Sequence, residues 1–88
     1  MPLRIDDTTQ LVGATVRCLT RTVTYNKAIS TPLGSMSSDW LPNEQGAWTV
    51  IICENPAYRP MADLGWQFIQ ELAFPGGEKV IMNAECRP

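Results

Sequence analysis

The stretch "ATVRCLTRTVTY" (Ala14–Tyr25) is the strongest extended signal in the chain, because Val, Thr and Tyr dominate it and neither Gly nor Pro interrupts it. Val16 and Cys18 share one face with Thr20, Thr22 and Thr24, and Thr15, Arg17, Leu19, Arg21, Val23 and Tyr25 share the other. The apolar face changes side near Leu19–Arg21, which a straight strand cannot do, so a bulge or a crossing within the sheet is expected there. "WTVIICEN" (Trp48–Asn55) opens as a continuous apolar run and reads as a central strand covered on both faces. "EKVIMNAE" (Glu78–Glu85) reads as a last strand, with Val80 and Met82 on one face and Ile81 on the other. "LRID" (Leu3–Asp6) reads as a short edge strand.

The segment Pro60–Phe74 alternates only briefly, at Trp66, Gln67 and Phe68, and loses that rhythm at Ile69. At 100° per residue it organises better. Met61, Ala62, Leu64, Trp66, Phe68, Ile69, Leu72 and Ala73 then fill one arc, and Asp63, Gln67, Gln70 and Glu71 fill the opposite one. Pro60 suits a first helical turn, Asp63 lies near the favourable end of the dipole, and Pro75-Gly76-Gly77 is a stop. The spacing therefore predicts a helix over 60–74, with Gly65 as an interior cost of about 1 kcal/mol. Between the strands, "NKAISTPLGSMSSDWLPNEQGA" (Asn26–Ala47) is rich in Pro, Gly and Ser without sustained periodicity, and reads as a long loop. The expected fold is α+β: one single-layer, mostly antiparallel sheet of about four strands, with the amphipathic helix 60–74 packed on one face. The helix would form a βαβ unit with the strands on either side of it.

With 88 residues the chain forms one domain, since two cores would be too small to stand alone. It has no apolar run of about 18 residues, so no membrane span is expected, and "MPLRIDDTTQ" shows no signal-peptide pattern. The three cysteines, Cys18, Cys53 and Cys86, are odd in number and lack metal-ligand spacing. They read as reduced thiols, with Cys18 and Cys53 buried in strands, and a cytoplasmic setting follows. The net charge of −2 disfavours a partner held mainly through phosphate contacts, such as nucleic acid.

The string "VIICENPAYRP…FIQ…GGEKVIM" resembles the C-terminal part of the small phage inhibitor of uracil-DNA glycosylase, which has a similar proline–tyrosine–proline joint and a Gly-Glu turn. The likeness covers barely a third of the chain. That inhibitor is strongly acidic and continues past the joint as a strand. This chain is weakly acidic and reads there as a helix, so no residue role is carried over.

The chain contains no histidine, which removes the commonest general base and the commonest metal ligand. No cofactor and no metal are expected, and the chain is read as a non-enzyme. Cys53 would have to be activated by Arg59 or Lys79, and the pairs Asp6/Asp7 and Glu54/Asp63 read as ordinary solvated carboxylates. Candidate contacts with a protein partner are Met36, Trp40 and Leu41 in the long loop, and Tyr58 and Arg59 in the joint before the helix. Trp40 could instead fold back to plug the core. Arg17 and Arg21, four apart on one strand, could form with Lys27 an anion-binding strip. The expected function is a small intracellular binding protein acting by protein–protein contact: an inhibitor, an adaptor or a subunit of an oligomer, of the kind that phages encode as accessory proteins. An anion- or nucleotide-binding module is the alternative.

Overall fold

The computed structural model describes Leu3–Arg4 and residues 9–86. One mixed sheet carries strands β1 (Leu3–Arg4), β2 (Thr9–Arg17), β3 (Thr22–Ile29), β4 (Gln67–Ala73) and β5 (Lys79–Ala84), in that spatial order. Two helices, α1 (Trp40–Cys53) and α2 (Arg59–Asp63), lie between β3 and β4, after a 3-10 turn over Leu33–Ser35. The expected α+β class holds: four substantial strands, a two-residue edge strand, and one main helix on one face. Neighbouring strands are antiparallel except β3 and β4, which are parallel. The crossover therefore runs β3–α1–α2–β4. β1 contains the first half of the expected Leu3–Asp6 strand, and the rest of that stretch, with Asp7, lies outside the described residues.

The Ala14–Tyr25 strand is in fact a hairpin. β2 ends at Arg17, residues 18–21 turn, with the Arg21 N–H donating to the Cys18 carbonyl at 3.3 Å, and β3 starts at Thr22. The face change near Leu19–Arg21 is this turn. No Gly or Pro marks it, and Arg21 itself adopts the left-handed backbone, φ 52°. Cys18 is exposed in the turn rather than buried in a strand. A bulge lies earlier, between Leu11 and Gly13. It inverts the side-chain parity, so that Leu11 before it and Ala14 and Val16 after it all point to the helix-bearing face.

The expected strand Trp48–Asn55 and the end of the expected loop are one 14-residue helix, α1. Its buried and half-buried positions are Trp40, Glu44, Gln45, Trp48, Thr49, Ile52 and Cys53, a stripe spaced by three and four residues. Two features hid it. Glu44 and Gln45 are polar on the inward side, while Val50 and Ile51 are apolar on the outward side. Pro42 falls in the first turn, where its missing N–H costs nothing. Gly46 is interior to the helix and does not end a loop.

The expected helix 60–74 splits into α2 and β4. Gly65, φ 94°, closes α2: its N–H donates to the Ala62 carbonyl at 3.0 Å and the Trp66 N–H to that of Met61 at 3.1 Å, the pattern of a left-handed helix cap. β4 then alternates strictly, with Phe68, Gln70 and Leu72 buried beneath α1. Gln70 is a polar residue at a core position, and it masked the strand period. Pro75–Gly77, expected to stop that helix, instead turns β4 into β5, with the Phe74 N–H on the Glu78 carbonyl at 2.9 Å. In β5, Met82 is buried, Val80 packs against the core and Ile81 is exposed, as expected.

The core joins Val23 and Ile29 of β3, Phe68 and Leu72 of β4, Met82 and Ala84 of β5, Trp48 and Ile52 of α1, and Phe74. The Trp48 indole N–H donates to the Phe68 carbonyl at 3.1 Å, so the largest core ring carries no unpaired donor. A disulfide joins Cys53, at the end of α1, to Cys86, just beyond β5, with a Cα–Cα distance of 5.4 Å. The reading of three reduced thiols is corrected: two of the cysteines pair across 33 residues, and Cys18 alone is free.

Candidate functional site

α1 lies against β5 and over the β4 and β3 residues of the core, leaving the helix-side surface of β2 open. At that margin a groove of about 170 Å³ is lined by Leu11, Tyr25, Lys27, Trp48, Ile51, Ile52 and Tyr58. Each wall has a local cause. The bulge turns Leu11 toward the helix, and the inward stripe of α1 supplies Trp48 and Ile52. Asn55 sets Tyr58: its side-chain carbonyl accepts the Ala57 N–H at 2.8 Å, and its backbone carbonyl accepts the N–H groups of Tyr58 and Arg59 at 3.0 and 2.8 Å. Tyr58 then tilts against Phe68, ring centroids 5.4 Å apart, and the Tyr25 ring meets Trp48 edge-on at 5.6 Å.

Beneath the rings runs a polar network. Lys27 Nζ donates to Gln70 Oε1 at 2.8 Å and stands 4.8 Å from the centre of the Trp48 ring. Gln70, 0% exposed, donates through Nε2 to Glu44 Oε1 at 3.3 Å and to Met82 Sδ at 3.2 Å. Burial raises the Tyr25 pKa to about 12, helped by a hydrogen bond to Tyr58 and by that neighbour's charge when ionised. Tyr25 is therefore a neutral phenol at physiological pH and no base. The groove offers aromatic and aliphatic walls over a satisfied polar floor, an arrangement suited to binding. Two larger hollows differ in character: one of about 530 Å³ is lined by Gln45, Thr49, Asn83 and Glu85, and one of about 360 Å³ on the far face borders the Lys79–Glu71 ion pair.

Of the residues singled out in the sequence, Tyr58 and Lys27 line this groove. Met36 and Trp40 pack against the core, and Trp40 meets Phe74 edge-on at 5.6 Å, so it takes the plugging role. Leu41 is exposed on α1, and Arg59 forms an ion pair with Asp63 at 3.0 Å. Of the proposed cationic strip, the two arginines share the β2–β3 turn and Lys27 is set apart from them. Arg17 ends β2, and Arg21 sits across the turn with Nη1 on the Leu64 carbonyl at 3.0 Å. Lys27, five residues into β3 from Thr22, is about 17 Å along the strand and points into the groove network. Sequence reading missed Leu11, Tyr25, Trp48 and Ile51 as a cluster. Their one signal was Trp48 with Ile51 and Ile52, three and four residues on, which is helical spacing.

No family model and no curated protein matches the chain. Among solved structures it is similar to a presumed secreted protein from Pseudomonas aeruginosa, at 14% identity and a TM-score of 0.77, covering 93% of this chain and 73% of that one. That likeness is one of fold. The expectation of a cytoplasmic, intracellular setting is corrected by the Cys53–Cys86 disulfide, since such bonds persist in oxidising compartments.

Proposed function

We propose that this protein is a non-enzymatic binding module of an oxidising compartment that works by docking on another protein, its groove receiving one apolar anchor side chain of the partner. The observation that carries the reading is the groove itself. Its volume of about 170 Å³ is below the roughly 300–1,000 Å³ of small-molecule sites and fits a single side chain. Its rim is apolar and accessible: Ile51 is 51% exposed. Interfaces concentrate their binding energy in a few anchor residues seated in well-packed, water-excluding pockets. The groove lacks a histidine, and its Tyr25 phenol is held neutral by burial, which supports binding over catalysis.

The test is capture from the secreted and envelope fractions of the source cells, with wild type and Ile51→Lys compared at equal folded concentration. Cross-linking then locates the contact. The reading expects a single partner cross-linked near Ile51 and Tyr58 and lost in Ile51→Lys. A partner retained by the variant, or no partner with folded wild type, overturns it.

A further inference from the structure

At the end of the sheet where β2 turns into β3, three aliphatic side chains stand in the open. Leu19, in the turn, is fully exposed, Leu64, which ends α2, is 68% exposed, and Val16 near the end of β2 is 59% exposed. Arg21 fixes the turn beside Leu64: its carbonyl accepts the Gln67 N–H at 2.8 Å, and its Nη1 donates to the Leu64 carbonyl at 3.0 Å. The turn also satisfies its own carbonyls. That of Cys18 accepts the Arg21 N–H at 3.3 Å, that of Arg17 the Thr20 hydroxyl at 3.5 Å, and that of Thr20 the Thr22 hydroxyl at 3.2 Å. A turn standing in water can leave such groups to the solvent; one that enters a lipid interface cannot.

The charges at this end are segregated. Arg17 and Arg21 flank Leu19 in sequence, and among the described residues neither pairs with a carboxylate. Arg21 commits one N–H to Leu64, and its guanidinium carries others. Asp63, beside Leu64, is neutralised by Arg59 at 3.0 Å. Glu54 and Glu85 adjoin the Cys53–Cys86 bridge on the β5 side. From β2 to β5 is about 14 Å at the usual strand spacing, beyond the roughly 8 Å screening length at physiological salt.

We infer that this corner docks on a membrane surface bearing anionic lipid, with Leu19, Leu64 and Val16 entering the headgroup–acyl boundary and both guanidiniums on lipid phosphates. Charge and shape select this occupant. A side chain as exposed as Leu19 is convex, so a protein partner would have to supply a pocket for it, whereas a fluid interface needs none. Arginine stems lie along apolar surface while their heads stay with phosphate. Two cations and three aliphatic groups give weak, reversible attachment.

The corner shares no residue with the groove, so protein that captures its partner through Ile51 but ignores vesicles sinks this inference and leaves the proposed function standing. The experiment is flotation with vesicles of phosphatidylcholine, alone or mixed with phosphatidylglycerol, at low and high salt. Wild type is compared with Leu19→Ser, Arg17→Glu and Ile51→Lys, each replacing an exposed side chain and each checked for folding by circular dichroism. Wild type is expected to float with the anionic vesicles at low salt, to ignore neutral ones and to be released by high salt. Arg17→Glu should weaken binding about 30-fold, two charge units at about fivefold each, and Leu19→Ser about tenfold or more. Ile51→Lys should bind no more weakly than wild type. An environment-sensitive fluorophore on the exposed Cys18 should shift to the blue on the vesicles. Folded wild type that does not float, floats equally with neutral vesicles, or gives variants at Leu19 and Arg17 that bind as it does overturns the inference. So does an acidic protein, captured without any vesicle binding, that Leu19→Ser loses. The salt dependence and the Cys18 shift of wild type decide the matter even if a variant fails to fold.

Discussion

Removing the bridge between Cys53 and Cys86 perturbs the protein mainly through its unfolded state. The bond closes a loop of 33 residues, which ties the end of α1 to the chain leaving β5. In the chain-entropy treatment a loop of that length restricts the denatured ensemble by about 12.5 cal/mol/K, or about 3.7 kcal/mol at 25 °C. At about 2.1 cal/mol/K per residue, an 88-residue domain unfolds with an entropy near 0.18 kcal/mol/K, so the loss converts to a fall of about 20 °C in Tm. The comparison is Cys53→Ala/Cys86→Ala against wild type, both carrying Cys18→Ser to prevent thiol scrambling, by urea and thermal denaturation, with free thiols counted in the folded wild type. Both unfolded states are then measured directly, and reductant should lower the stability of the parent by a similar amount while leaving the double variant unchanged. A loss below about 1 kcal/mol, or two free thiols at positions 53 and 86 in protein from an oxidising compartment, would refute both the pairing and the compartment drawn from it.

Trp40→Ala should lower stability by about 2–3 kcal/mol, because it removes the ring packed edge-on against Phe74; an unchanged melting temperature would return Trp40 to the surface role. Gln70→Ala should cost about 2–4 kcal/mol in urea denaturation, by opening a cavity and removing the acceptor of Lys27 and the donor to Glu44; a neutral result would mean that the network contributes nothing net. Tyr25 titrates near pH 12 rather than 10 in the folded state, so its contribution to stability is fully present below pH 10 and is lost as pH rises toward 12. Tyrosinate absorbance of folded protein checks this, and Tyr58→Phe should bring the Tyr25 transition back toward its ordinary value.

What could be read before folding was what depends on a few neighbouring residues. The α+β class, the break at Pro75–Gly77 and the alternation of Val80, Ile81 and Met82 follow from local propensity and a period of two. The two large misreadings have one cause. Periodicity reveals an element only when polarity and burial agree, and in α1 and β4 they disagree: Glu44, Gln45 and Gln70 are polar and turned inward, while Val50 and Ile51 are apolar and turned outward. The inward polar groups are tolerated because they satisfy one another and the β5 edge, a fact that exists only once the helix is laid on the sheet. Of the exposed apolar pair, Ile51 lines the groove, so one of the features that spoiled the pattern also marks the candidate site.

By itself, the sequence determined the α+β class and a chain without histidine. Tertiary structure alone decided which apolar run became a helix, which cysteines met, and where a groove opened. Those depend on contacts across 20 to 43 residues, such as Trp48 with Phe68 and Lys27 with Gln70, which no local window of the chain contains.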